Sequence, residues 1–333
     1  MENTRLAPEV MALGDLILNM ASAGETAEGI ALYERQPAGA SANMLTQVAR
    51  LGGRAALISK LGNDEHSRYL YDYELKCGVD MSNVTIGTRP TRIMFVYYDE
   101  NNDRYFSDFH MERNEVDIDI DEVNYDMVKS SRYVDIKCVP FDPSLPISAT
   151  LEKVISVAQE GGAGLVIDTQ WRGSSMSEAE RAQVRRRASI CEVVKLTEEE
   201  MAYYFDESDP MKGTEKILEN GKTQIVALTL DSRGCMLRTH NAWAYAPGFA
   251  VNPVDTTGAG DSFMGALLYS LCKAGKPTET IDAEQLATIA EFCNACAAYT
   301  TQFRGSLAHM ATHANAEFIR KHVPMHEKWT YFA

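Results

Sequence analysis

The stretch Asp255-Thr256-Thr257-Gly258-Ala259-Gly260-Asp261-Ser262-Phe263 constrains this chain more than any other. It follows an apolar, strand-like run and leads into a helical pattern, with Phe263, Leu267, Leu268 and Leu271 on one face. Gly258 and Gly260 let the backbone turn tightly with N–H groups pointing into open space. A helix start adds unpaired N–H donors and the positive end of the helix dipole. Such a turn is an anion site, most often for phosphate. Asp261 sits inside it, where a carboxylate repels phosphate. A helix-capping aspartate is the plain alternative, but capping alone does not need the flanking Gly-Ala-Gly. The sequence therefore reads Asp261 as a base that takes the proton from a hydroxyl attacking a phosphoryl group.

The rest of the chain sets bounds on that reading. With 333 residues it has room for one large α/β domain or two modest ones. A net charge of −15 argues against nucleic acid or an anionic membrane as partner. No run of 18 apolar residues is present, and Met1–Pro8 lacks a signal-peptide core. Seven cysteines at scattered spacings fit a reducing, cytoplasmic setting. Cys293 and Cys296 form a CxxC without a second pair, and His309 and His313 lack a third ligand, so neither reads as a metal site. Gly221-Lys222-Thr223 fails as a P-loop, because Lys216 occupies the position of the first glycine.

Periodicity gives an alternating α/β chain. A first strand is expected over Val10–Leu18, with Gly14-Asp15 inside it and no G-x-G-x-x-G following, which disfavours a dehydrogenase. A polar hairpin around residues 21–35 precedes a small-residue turn at Pro37–Asn43. Helices are expected over Met44–Leu51, Leu70–Cys77, Ser148–Gln159, Glu178–Ala188 and Ala287–Tyr299. Two β runs, Thr91–Tyr98 and Arg104–Phe109, read as a hairpin. Further strands are expected at Ala55–Ser59, Tyr133–Val139, Leu165–Asp168, Cys191–Leu196 and Ile225–Thr229, then a hairpin of Cys235–Arg238 with Ala242–Ala246. Thr197 and Glu200 have capping-box spacing.

The stretch from Asp255 to Phe263 resembles the C-terminal signature of the ribokinase-like (PfkB) carbohydrate kinases, and motifs in family order run through nearly the whole chain. The resemblance implies a three-layer α/β/α fold with a mostly parallel central sheet. It implies one kinase domain over residues 1–333, with a small β lid from segments 18–39 and 90–113. Around the glycine turn it implies phosphoryl-charge stabilisation by Gly258, Ala259 and Gly260, with Thr256 beside the nucleotide. Asn19, Gly39 and Asn43 then contact sugar hydroxyls. Ala38 replaces the first glycine of a usual pair, and Asn19 replaces a usual aspartate. Arg172, in Asp168-Thr169-Gln170-Trp171-Arg172, clamps a phosphate or a substrate carboxylate. Lys195, Thr229, Gly234 and Asn294 border the nucleotide, although Asp231 interrupts the usual T-L-G turn. Glu200 organises Mg²⁺ through water, with Thr197 in place of a usual asparagine. Asp255 and the loop Thr300–Gly305 correspond to a monovalent-cation (K⁺) site, with Phe303 where a basic residue is common. Phe109-His110 falls where fructokinase-like relatives carry an aromatic-Arg pair, and Arg92 and Arg104 face either the pocket or solvent.

The implied activity is ATP-dependent phosphorylation of a sugar hydroxymethyl group, with a ketose such as fructose as the leading acceptor. A 2-keto-3-deoxygluconate-type sugar acid is the alternative, followed by a nucleoside kinase of the same fold and a non-catalytic ligand-binding relative. A homodimer formed through the lid is the expected assembly.

Overall fold

The computed structural model describes residues 6–98, 104–110, 113–136, 142–170, 175–275 and 277–332. The chain opens with β1 (Val10–Leu13), β2 (Ile17–Glu25), β3 (Ala31–Ala38), α1 (Ala40–Arg50), β4 (Ala55–Leu61), α2 (Glu65–Cys77) and β5 (Val79–Ile86). A hairpin, β6 (Ile93–Tyr98) and β7 (Arg104–His110), precedes α3 (Tyr125–Ser130), β8 (Tyr133–Asp135), α4 (Pro146–Gly161) and β9 (Gly164–Asp168). Then come α5 (Glu178–Ile190), β10 (Val193–Thr197), α6 (Glu198–Phe205), α7 (Pro210–Glu219), β11 (Ile225–Thr229), β12 (Cys235–Thr239) and β13 (Trp243–Ala246). Three helices finish it: α8 (Ala259–Ala274), α9 (Ala283–Thr300) and α10 (His313–His322).

Nine strands form one sheet in the order β13-β12-β11-β10-β9-β8-β1-β4-β5, antiparallel only where β12 meets its two neighbours. Strand side chains alternate between two cores. Val10 and Ala12 of β1 join the core under α1, α2, α8, α9 and α10, and Met11 and Leu13 join the core under α3–α7. This is the expected three-layer architecture with a mostly parallel sheet. Strand order reverses between β1 and β8, and ligands of such sheets bind beyond the C-terminal strand ends at that switch.

The expected first strand, Val10–Leu18, is in fact two strands in different sheets. Gly14 N–H still bonds Ile58 O of the large sheet at 3.1 Å, whereas Leu18 N–H bonds Arg92 O beside the small one, also at 3.1 Å. The small sheet runs β3-β2-β6-β7. The apolar residues on both sides of Gly14-Asp15 hide the change of sheet, because both halves are buried.

Helix α1 starts earlier than the expected Met44, so Asn43 lies within it. Gly39 caps α1, at φ 128°. A Cβ on Gly39 would sit 2.6 Å from Asp15 O, so only glycine fits between α1 and the chain crossing from β1 to β2. Helices α1 and α8 approach as closely: a Cβ on Gly265 would lie 2.6 Å from Met44 O and from the Gln47 Cβ. That contact brings the first turns of the two helices together. Four further elements, β5, α3, α7 and α10, were not expected from periodicity. Residues 137–139 of the expected strand after Tyr133 lie outside the described residues.

Among the described residues no helix is long and apolar enough to cross a membrane. The six described cysteines are free thiols. Cys293 and Cys296 are buried in α9, where burial pushes both thiols up. His313 bonds Tyr269 Oη at 2.9 Å and His309 stacks on Phe303.

Candidate active site

Two cavities meet over the C-terminal ends of the parallel strands. The first, of about 700 Å³, lies between the small sheet and the start of α8. The second, of about 400 Å³, lies between the Asp231–Gly234 turn and α9. Lys195, Thr256 and Gly260 border both. A molecule in one cavity and a molecule in the other therefore face each other across the glycine turn.

Asp261 lines the first cavity and is 7% exposed. Asn43 Nδ2 donates to its Oδ2 at 2.9 Å, and Gln170 Nε2 donates to its Oδ1 at 3.1 Å. Ser306 Oγ in turn donates to Asn43 Oδ1 at 3.0 Å, which fixes which end of the Asn43 amide meets Asp261. Gln170 stands at φ 43°, a left-handed conformation that costs a non-glycine residue about 1–2 kcal/mol. The strain aims its amide at the carboxylate.

Gly258 caps α8 at φ 80°. The Ala259 N–H donates to Thr256 O at 3.3 Å. Among the described residues the Gly258 and Gly260 N–H groups meet no acceptor. These two amides, with the positive end of α8, form the anion-binding element of the turn. Asp255 holds its shape: Oδ1 accepts from the Thr257 N–H at 2.9 Å, and Oδ2 accepts from the Gly305 N–H at 3.0 Å. The Asp255 carboxylate thus staples the turn to the Thr300–Gly305 loop through N–H donors. Among the described residues no three His, Cys, Asp or Glu side chains converge on a metal position.

Lys195 lies beneath Gly260, whose hypothetical Cβ would meet Nζ at 2.9 Å. Its ammonium is 3.0 and 3.1 Å from the two oxygens of Asp168, and both side chains are buried. Burial alone would pull the Lys195 pKa down, but the carboxylates of Asp168, Glu200 and Asp261 outweigh it and hold the pKa above the usual lysine value. Glu200 also lines the first cavity. Its Oε2 accepts from the Thr197 N–H at 2.8 Å and from Thr169 Oγ1 at 2.9 Å, and Thr197 Oγ1 accepts from the Glu200 N–H at 3.1 Å. The capping box is therefore formed, and it fixes this carboxylate at the cavity floor.

Asn19 and Gly39 line the first cavity. The Asn19 Oδ1 is buried and has no hydrogen-bond partner. Thr229, Gly234 and Asn294 line the second. Asn294 Nδ2 donates to Ala246 O at 3.0 Å and to Pro247 O at 3.1 Å, bracing one wall. Asp231 takes the left-handed φ of 52° that the missing glycine would have supplied, a conformation short polar side chains tolerate.

The structure thus brings the described residues expected at the site to the two cavities, Ala259 lining the second, except that Asp255 faces the turn itself. Arg172 lies outside the described residues, as do the side chains of Arg104, Phe109 and His110. Gln170, Asp168, Asp15 and Arg113 were missed as site residues, although all line the first cavity. The Asp168–Lys195 pair had a signal, two charges in otherwise apolar strands. Arg113 had none, because only the fold carries it back from β7.

A three-layer sheet with an anion-binding turn between two cavities is the frame of a small-molecule phosphotransferase. The chain belongs to the pfkB family of carbohydrate kinases, whose model matches residues 9–312, and the protein is accordingly a phosphotransferase acting on a sugar hydroxyl. It is 30% identical to fructokinase-1 of Zea mays over 318 residues, 92% of this chain and 95% of that one. Its fold is similar to that of a fructokinase from Xylella fastidiosa solved with bound ATP (TM-score 0.81, 21% identity, 93% of this chain and 98% of the other). A fructokinase from Vibrio cholerae O395, solved with fructose, ADP and calcium ion, matches with TM-score 0.76 at 23% identity, over 93% and 98% of the two chains.

Proposed function

We propose that this protein is an ATP-dependent kinase that phosphorylates the hydroxymethyl group of a small ketose-type sugar, with Asp261 as general base. The observation that carries the reading is the position of Asp261. It lies in the larger cavity, within one residue of the Gly260 amide, which borders both cavities. A sugar in the larger cavity and a nucleotide in the smaller would present hydroxyl and phosphate to each other over that turn. The names and bound molecules of the Zea mays, Xylella and Vibrio relatives, fructokinases solved in two cases with ATP or with fructose and ADP, support a sugar and a nucleotide as the two ligands.

Asp261 takes the proton of the attacking hydroxyl as the new P–O bond forms and the bond to the ADP leaving group breaks. Asn43 and Gln170 orient its two oxygens. The Gly258 and Gly260 amides receive charge on the transferred phosphoryl group, and Lys195 neutralises charge between the cavities. Glu200, with its capped helix end, is the residue here that would hold Mg²⁺ through water. Bound Mg²⁺ would neutralise phosphate charge. Asp255 serves as the staple of the turn, and a monovalent cation would find its carboxylate already engaged.

Residues 1–333 act as one kinase domain in this reading. The small sheet is a lid over the sugar, built from segments 18–39 and 90–113, and it excludes water that would compete for the phosphoryl group. Its face turned away from the cavity carries Tyr33, Phe95, Tyr97 and Tyr105, with Tyr33–Phe95 centroids 5.1 Å apart and Tyr97–Tyr105 centroids 5.4 Å apart. That aromatic face supports a homodimer formed through the lid. An ADP-release screen over sugars, sugar acids and nucleosides tests the assignment. Sugar-dependent turnover is expected. ATP binding without turnover on any acceptor would instead favour a non-catalytic role.

A further inference from the structure

The small sheet places a cation in the sugar cavity that no described residue answers. Arg92 stands at the entry to β6, its carbonyl fixed by the Leu18 N–H of β2 at 3.1 Å. Its side chain lines the first cavity beside Asn19 and Met94. The Arg92 Nε is shielded from solvent and has no hydrogen-bond acceptor, and among the described residues no carboxylate pairs with its guanidinium. Arg113, the other arginine of this cavity, has its Nε on Glu115 Oε1 at 2.6 Å. A shielded N–H of a charged group without an acceptor is costly.

The acids of the cavity do not fill that role. Asp168 is held by Lys195, Asp261 by Asn43 and Gln170, and Glu200 by Thr169 and the Thr197 backbone. Asp15 Oδ1 accepts from the Ser41 N–H at 3.3 Å. On the same wall as Arg92, the buried Asn19 Oδ1 lacks a donor. One wall therefore offers an unmet cationic donor next to an unmet neutral acceptor. A hydroxyl satisfies the second. An anionic oxygen satisfies the first with a charge-assisted bond.

We propose that the acceptor sugar carries an anionic group, a carboxylate or a phosphate ester, received by Arg92, with a neighbouring hydroxyl donated to Asn19 Oδ1. The inference rests on the kinase reading above and narrows its substrate class. A neutral ketose such as fructose meets Asn19 but leaves the guanidinium with only a neutral hydroxyl, so it becomes the poorer substrate.

The experiment compares kcat/KM by ADP release for D-fructose, 2-keto-3-deoxy-D-gluconate and fructose 6-phosphate, using the full chain and its Arg92→Gln and Arg92→Lys variants. One anionic sugar is expected to exceed fructose at least tenfold, and which one distinguishes carboxylate from phosphate. Arg92→Gln is expected to lose at least tenfold on the anionic sugar, mostly through KM, and less than threefold on fructose, with partial recovery in Arg92→Lys. In the unaltered protein, raising salt from 0.05 to 0.5 M should raise KM for the anionic sugar and not for fructose, a readout that stands if a variant fails to fold. Preference for fructose, or equal losses on all three sugars, overturns the proposal. Absence of turnover on every acceptor defeats the kinase reading instead. Calorimetric titration of the two anionic sugars then judges Arg92 alone: binding lost in Arg92→Gln supports its role, and equal or absent binding overturns it.

Discussion

Replacing Lys195 by Met tests how the floor of the site is held together. The Lys195 ammonium lies 3.0 and 3.1 Å from the two Asp168 oxygens, with side chains 6% and 1% exposed. Removing one partner of such a buried pair leaves the other charge uncompensated and costs about 3–5 kcal/mol. For a chain of 333 residues, an unfolding entropy of roughly 2.1 cal/mol/K per residue turns that into a fall in Tm of about 4–7 °C. The lysine pKa is raised in the fold, so its contribution is complete below the unfolded lysine value and fades only as pH rises through the folded one. The loss should therefore be the same at pH 6 and pH 8. Calorimetric melts of Lys195→Met, Asp168→Asn and the double variant supply the check. The double variant should recover part of the loss, because the unpaired carboxylate is gone. A single variant that melts within 1 °C of the parent, or a double variant whose losses simply add, would refute the paired-charge account.

Three other outcomes follow from particular contacts. Glu74 is wholly buried between α1 and α2, with Thr46 Oγ1 donating to it at 2.8 Å, and burial pushes its carboxyl up to about 8. Between pH 4.5 and 8 the unfolded chain loses this proton and the fold keeps it, so stability falls by about 1.4 kcal/mol per pH unit, with a ceiling near 5 kcal/mol. Urea unfolding at pH 5 and pH 8 should show Glu74→Gln gaining on the parent at the higher pH, and an unchanged gap would exclude the effect. Gly258→Ala places a Cβ at φ 80° and 2.4 Å from the Ser306 Cβ. It should destabilise by about 1–3 kcal/mol, and kcat should fall at least tenfold as Ser306 releases Asn43; normal turnover would contradict that chain of contacts. His326 lines the second cavity, and Trp329, under the Arg233 guanidinium at 4.5 Å, braces the Asp231–Gly234 turn. Trp329→Ala should therefore raise KM for ATP several-fold and leave KM for the sugar unchanged, whereas a change confined to the sugar would misplace the nucleotide.

Local signals in the chain carried most of the architecture. The glycine turn, the Thr197–Glu200 capping box and the paired hairpins each depend on residues within a few positions of one another, and each appears at its place. What stayed hidden depends on contacts between distant segments. Asn43 and Asp261 are 218 residues apart, and only the close packing of α1 on α8, permitted by Gly265, makes them partners. Gln170 stood in the sequence only as part of the stretch leading to Arg172, but its left-handed backbone turns it onto Asp261. The break between β1 and β2 was invisible because hydrophobicity does not reveal which sheet a buried strand joins. Helix α7 was missed although Asp209 caps it and Pro210 opens it, because its apolar face is short.

The most direct test of the central claim is single-turnover phosphoryl transfer by Asp261→Asn. The substitution keeps the size of the side chain and removes its ability to accept the hydroxyl proton. The account predicts a loss of about 10²–10⁴ in the rate of the chemical step, with the fold intact and the Kd for a non-hydrolysable ATP analogue within threefold of the parent. A rate within tenfold of the parent would contradict it, because the proton would then be leaving by a route that does not need Asp261.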